Sequence, residues 1–182
     1  MLRNLYITDI TRCTRDNEAY MAVLRETDGE RILPVLMERD AAQQLLLQIQ
    51  SVVRPSLSLS LPGIMRQIFQ SCRIRMCEVR ICGVQGGVTF CHLLFEQDHV
   101  ERVVRNCRAS DGLQLACAFG CPVRIDEELL ERQHMRQAGE SSYSIPVNSV
   151  TTEALKGALQ QAIKEENYEL ASQLRDELRR RK

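Results

Sequence analysis

Apolar positions open the chain in short runs set between polar clusters, the pattern of strands rather than helices. Leu5-Tyr6-Ile7 and Tyr20-Met21-Ala22-Val23-Leu24 are two such runs. Asp28-Gly29, both tolerant of positive φ, joins the second as a hairpin to Ile32-Leu33-Pro34-Val35-Leu36. The period then changes. Ala42, Leu45, Leu46, Ile49 and Val53 recur at helical spacing, which predicts a helix from about Asp40 to Val53 with one buried face. Arg54-Pro55 ends it, because a residue before proline avoids the α region. The alternation Ser56-Leu57-Ser58-Leu59-Ser60-Leu61 reads as a short extended segment, and residues 63–71 as a second helix with Ile64, Ile68 and Phe69 inward. Strands over 73–82 and 88–96 flank the glycine-rich turn Gly83-Val84-Gln85-Gly86-Gly87. A helix near Ser110 with Leu113, Ala116 and Cys117 on one face, a brief strand Pro122-Val123-Arg124-Ile125 and a helix over 126–136 follow. This order predicts an α+β domain over residues 1–137, a mixed β-sheet packed with helices.

Residues 138–150 carry Gly139, Ser141, Ser142, Ser144, Pro146, Asn148 and Ser149 without periodicity, which predicts a linker. Residues 151–182 then show two apolar stripes, Leu155, Leu159, Ala162 and Ile163, and Leu170, Ala171, Leu174 and Leu178. The polar stretch Glu165-Glu166-Asn167-Tyr168-Glu169 between them suits a tight break between antiparallel helices. Thr151 or Thr152 can cap the first helix, and Arg179-Arg180-Arg181-Lys182 suits the end of the second. Two helices of about 14 residues bury too little apolar area to stand alone, so the hairpin is expected to need a partner surface. That surface is a second copy, giving a homo-oligomer, or the main domain, or another protein.

Charge and composition narrow the field. Lys+Arg and Asp+Glu are 24 each, so no global basic field draws the chain to nucleic acid or anionic membrane, and such binding needs a local patch. Met1-Leu2-Arg3-Asn4-Leu5-Tyr6 lacks the pattern of an export leader, and no apolar run approaches the roughly 20 residues of a membrane span, so a cytoplasmic protein without membrane association is expected. The 8 cysteines are then expected to be reduced. Cys72, Cys77, Cys82, Cys91 and Cys117 lie in apolar periodic segments, where the thiol acts as a small hydrophobe. No close Cys-x-x-Cys pair exists, and the five-residue step from Cys72 to Cys82 alternates faces along a strand, so no structural zinc is expected.

Several segments in order resemble the bifunctional nuclease family, a bacterial and plant domain named for activity on DNA and RNA. The likeness covers roughly residues 1–135. Arg108-Ala109-Ser110-Asp111 followed by Leu113-Gln114-Leu115-Ala116 is similar to the family's Arg-x-Ser-Asp-Ala-Ile-Ala-Leu-Ala block. Phe119-Gly120-Cys121-Pro122-Val123, Glu127-Glu128-Leu129-Leu130, Leu33-Pro34-Val35, Arg54-Pro55 and Gly87-Val88-Thr89-Phe90 follow the family's order and spacing. After Arg-Pro the family carries Thr-His-Asp, whereas here Ser56-Leu57-Ser58-Leu59-Ser60 holds no ionisable group.

The resemblance implies a metal-assisted nuclease for DNA or RNA, with Arg108, Ser110, Asp111 and Arg54 as candidate catalytic residues and Mg²⁺ or Mn²⁺ as the ion. Ser110 is placed at a helix N-cap and Asp111 in the first turn. Free N–H groups and the Arg108 guanidinium there suit a phosphate, and Asp111 suits a divalent cation. The same residues also suit a plain helix start. His92 follows the strand Val88-Thr89-Phe90, while His99 and His134 fall in charged stretches. The alternative class is a non-catalytic ligand-binding or assembly module acting through the hairpin. Asn167-Tyr168-Glu169-Leu170-Ala171 with Leu174-Arg175-Asp176-Glu177-Leu178 closely resembles the UVR motif of excision-repair nuclease subunits and of regulators of quality-control ATPases, where it pairs with other proteins. That resemblance marks Leu155, Leu159, Ile163, Tyr168, Leu170, Leu174, Arg175 and Leu178 as candidate partner-binding residues.

Overall fold

The computed structural model describes residues 1–13, 19–53, 60–137 and 143–181. Arg54 and the segment Ser56-Leu57-Ser58-Leu59 lie outside the described residues, as do 138–142 of the expected linker. The strands are β1 (Leu2–Arg12), β2 (Ala19–Glu26), β3 (Ile32–Glu38), β4 (Ile74–Gln85), β5 (Val88–Gln97), β6 (Val100–Arg108) and β7 (Val123–Asp126). They form one sheet in the order β3-β2-β1-β7-β4-β5-β6, antiparallel except where β7 runs parallel to β4. The mixed sheet packed with helices is the α+β architecture expected from the alternation of periods.

Helices α1 (Arg39–Val53), α2 (Leu61–Ser71) and α3 (Ala109–Phe119) pack on one face of the sheet, where Leu24, Leu33, Val35, Leu45, Val79, Ile81, Leu113 and Ile125 are almost fully buried. The sheet bends around this core far enough to bring β3 against β5. Ser60 caps α2, its hydroxyl accepting from the Gly63 amide at 3.3 Å. Gly112 lets α3 lie close on the sheet. A Cβ there would come within 2.5 Å of Cys91 Sγ and 2.9 Å of Val79 Cγ1. Helix α4 (Glu127–Gln133) is shorter than the expected 126–136 and is capped by Asp126. At its start, Glu26 is buried and receives two hydrogen bonds from Arg31, which hold its carboxyl below the usual range, while Arg3 reaches Glu127 at 2.6 Å.

β6 was not expected from the sequence. Asp98 and His99 take positive φ (52° and 64°) and turn β5 directly back into it, so His99 is a turn residue. β6 is the sheet edge and nearly all its residues are exposed, so no apolar face marks it in the sequence. The cysteine expectation also needs correction. All eight thiols are free, but Cys72 and Cys82 are exposed, because Cys72 caps the end of α2 and Cys82 sits at a bulge in β4.

The three thiols most shielded by burial make a pH prediction. Burial pushes Cys91 up to about 12, and Cys117 and Cys121 up to about 11. The folded chain keeps these protons after an unfolded thiol has released its own, so their contribution is complete below about pH 8.5 and is lost as pH rises beyond it. Melting curves in reducing buffer should be level from about pH 7 to 8.5 and fall steadily above that. A melting temperature unchanged to about pH 10.5 would contradict this assignment.

The C-terminal hairpin consists of α5 (Thr152–Lys164) and α6 (Tyr168–Arg180). Thr151 caps α5 and Asn167 caps α6 through their side-chain oxygens. Residues ahead of it, within the stretch expected to be linker, are tied down: Tyr143–Ser144 pairs with Arg136–Gln137, and Val147–Ser149 forms a 3-10 turn. The Ser149 hydroxyl donates to Gln133 Oε1 at 3.2 Å in a buried contact, and the Gly87 amide donates to the Asn148 carbonyl. Gly87 has φ +83° and a Cβ there would lie 2.7 Å from the Val150 carbonyl oxygen, so the β4–β5 turn docks against the entry to α5. Arg181 closes the hairpin from its other end. Its guanidinium is almost buried and donates to the carbonyls of Val147, Asn148 and Val150, with Glu177 as its ion partner. Among the described residues, no helix is long and apolar enough to cross a membrane.

Candidate functional site

The segment that carries the nuclease resemblance is a strand-to-helix junction. Arg108 is the last residue of β6 and pairs with Phe90, so its backbone is extended (φ −65°, ψ 138°), and α3 starts at Ala109. Arg108 therefore holds the N-cap position without a side-chain capping bond. The expectation for Ser110 is corrected: it lies inside the first turn and is buried, because the sheet holds the chain extended only up to Arg108. Asp111 is in the first turn as expected, exposed, where its charge complements the helix dipole.

Arg108 and Asp111 are both exposed, and neither side chain makes a hydrogen bond or ion pair among the described residues. The junction is anchored beneath them by Cys91, whose thiol donates to the Arg108 carbonyl at 3.5 Å. Cys107 lies opposite Cys91 across β5 and β6. Burial against the core first, then the charge of Asp111, pushes the Cys107 thiol up. Arg108 shares the opposite side with Phe90 and, two residues along β5, with His92. The Asn106 amide donates to His92 Nδ1 at 3.3 Å, and since an amide can only donate, the ring proton sits on Nε2. The structure thus brings Arg108 and His92 to one face, sets Asp111 in the first turn of α3, and turns Ser110 inward.

Whether these residues suit a divalent cation can be tested on the donor set. Among the described residues no group of three or more His, Cys, Asp or Glu is placed to hold a metal ion, at Asp111 or elsewhere. The described donors do not fit an octahedral Mg²⁺ or Mn²⁺ centre.

A cluster invisible in the linear pattern lies on the exposed face. Glu78 is buried and accepts from Arg80 Nε at 2.6 Å and from Arg124 Nη1 at 2.8 Å, and Arg124 Nε donates to Asn4 Oδ1 at 3.1 Å. Only strand register joins these residues, since β7 inserts between β1 and β4.

Two family models match the chain: the bifunctional nuclease domain over residues 22–138 and the UvrB/UvrC motif over 152–181. The chain belongs to the bifunctional nuclease domain family. It is also similar to two uncharacterised proteins of Mycobacterium tuberculosis, from strains CDC 1551 and H37Rv, each 26% identical over 119 residues that cover 65% of this chain and 69% of the relative. The matched domain spans the strand-to-helix junction, and the UvrB/UvrC motif coincides with α5 and α6.

The structure distributes the candidate partner-binding residues unequally. Leu155 and Leu174 are 1% and 4% exposed inside the hairpin, with Leu159 and Leu178 packed against them together with Val147 and Val150. Val147 and Val150, which precede the hairpin, supply part of the apolar surface it was expected to need. Ile163, Tyr168 and Leu170 are the exposed apolar residues, all near the hairpin tip, and Arg175 is exposed beside Asp176.

Proposed function

We propose that the bifunctional nuclease domain hydrolyses phosphodiester bonds of nucleic acid at the β6–α3 junction, and that the hairpin tip recruits a protein partner or a second copy. The observation that carries this reading is the exposed Arg108 and Asp111 at one helix start, neither with a side-chain partner among the described residues. Arg108 can hold two phosphate oxygens through parallel N–H bonds. The carboxylate of Asp111 can orient a water and take its proton as the water oxygen bonds to phosphorus, while the departing sugar oxygen acquires a proton from solvent. The second reading, a non-catalytic binding or assembly module, draws support from there being, among the described residues, no cluster of three or more His, Cys, Asp or Glu for a metal ion.

Digestion of end-labelled single- and double-stranded DNA and RNA, with Mg²⁺, Mn²⁺ or EDTA, separates the two readings. The proposal expects cleavage of at least one substrate. Intact substrates in every arm would leave the assembly reading. Light scattering of the parent and a Tyr168→Ala variant tests self-association through the tip, which the variant should weaken.

A further inference from the structure

The exposed face of the sheet offers a place for the nucleic-acid chain itself, an inference that rests on the nucleic-acid reading above. Directly paired residues share a face, so the register places Asn4 of β1, Arg124 of β7, Arg80 of β4 and His92 of β5 in one row across four strands. Neighbouring strands lie about 4.8 Å apart, so the row is about 14 Å long. On the same face Tyr6, 48% exposed, stands opposite Arg25 at one end, and Phe90 stands opposite Arg108 at the other. The helices α1, α2 and α3 all pack on the other side.

The electrostatics of this band are asymmetric. Glu78 is the only acidic partner of Arg80 and Arg124 among the described residues, so one carboxylate holds two guanidiniums side by side. It fixes their position and leaves a net positive charge. Each side chain is still 39% exposed, with N–H groups left over for an outside acceptor. Cations spaced along a sheet, with aromatic rings at either end, suit a single strand, whose phosphates meet the guanidiniums and whose unpaired bases stack on the rings. A duplex hides its base faces and could not use Tyr6 or Phe90. We infer that the Arg25–Tyr6–Arg124–Arg80–His92–Phe90 band binds single-stranded nucleic acid and leads it to Arg108 at the β6 edge.

Fluorescence anisotropy with labelled oligo(U) and oligo(dT), whose intact length is checked on a gel afterwards, tests this on the full chain. The parent should bind, more weakly at 200 than at 50 mM salt (orders of magnitude set by phosphate contacts). Arg80→Gln, which leaves Arg124 to pair with Glu78, should weaken binding about tenfold, and so should Tyr6→Ala. Arg25→Gln and Tyr6→Ala change exposed side chains, so folding is retained even if Arg80→Gln is unstable. Arg179→Gln with Arg180→Gln removes the competing basic end of the hairpin and should leave binding unchanged. The inference is overturned if the parent does not bind, if the face variants bind like the parent, or if only the hairpin variant loses binding. Oligo(U) and oligo(dT) distinguish RNA from DNA. Binding without cleavage would refute only the hydrolytic reading; cleavage that ignores the face variants would refute only this inference.

Discussion

Gly112→Val is expected to be the most damaging single substitution in the domain. The first atom of any side chain at this position would meet Cys91 Sγ at 2.5 Å and Val79 Cγ1 at 2.9 Å, and both neighbours are fully buried. Neither can turn away, because Cys91 supports the β6–α3 junction from below and Val79 sits in the core on β4, between β7 and β5. Overpacking of this kind costs about 1–3 kcal/mol for small additions and more for a branched one. For a chain of this size that corresponds to a fall in melting temperature of roughly 5–10 °C, with loss of soluble protein at the severe end. Gly112→Ala should show a smaller fall, and adding Cys91→Ala should restore part of it by removing the closer of the two atoms. Melting curves of the four proteins check this. A Gly112→Val protein as stable as the parent would show that α3 does not seat on β4 and β5 as described.

Leu174→Glu should dismantle the hairpin while sparing the domain. Leu174 packs with Leu155, Ala162 and Ala171 in a core that Val147 and Val150 complete. A carboxylate there finds no cation among its packed neighbours, and burying it unpaired costs several kcal/mol (order of magnitude). A hairpin of this size has no such reserve. Circular dichroism should lose the helical signal of α5 and α6, and proteolysis should remove the C-terminus early. The sheet domain should retain its own melting transition. Helicity equal to the parent would contradict the hairpin core. Because Leu174 is internal, loss of a partner in this variant would report unfolding, whereas Tyr168→Ala changes an exposed side chain and reports the contact itself.

The elements legible in the sequence were those with a buried stripe. The β2–β3 hairpin, α1, α3 and both C-terminal helices all carry apolar residues at the spacing of their period, and Asp28-Gly29 marks its turn. β6 carries none: Glu101, Arg102, Arg105 and Arg108 intervene among its valines, and it turns out of β5 through Asp98-His99, which is not a usual hairpin pair. The start of α3 was misplaced by the strong capping preference of serine, whereas the sheet keeps Arg108 extended and pulls Ser110 inside. In the sequence Arg181 is one of four cations that suit a helix end, whereas in the fold it seals the hairpin against three carbonyls. That contact needs residues more than 30 apart, which no local pattern reports. For the same reason the row from Asn4 to His92 emerges only once β7 is seated between β1 and β4.

The most direct test of the β6–α3 junction as the site of action is the initial rate of single-stranded cleavage by the parent, Asp111→Asn and Arg108→Ala, measured beside their melting curves. Both side chains are exposed and make no ion pair or hydrogen bond among the described residues, so the account predicts melting temperatures equal to the parent. It predicts rates reduced by about 100-fold or more, the usual consequence of removing a positioned acid–base or phosphate-binding group. Cleavage by both variants at the parent rate would contradict it.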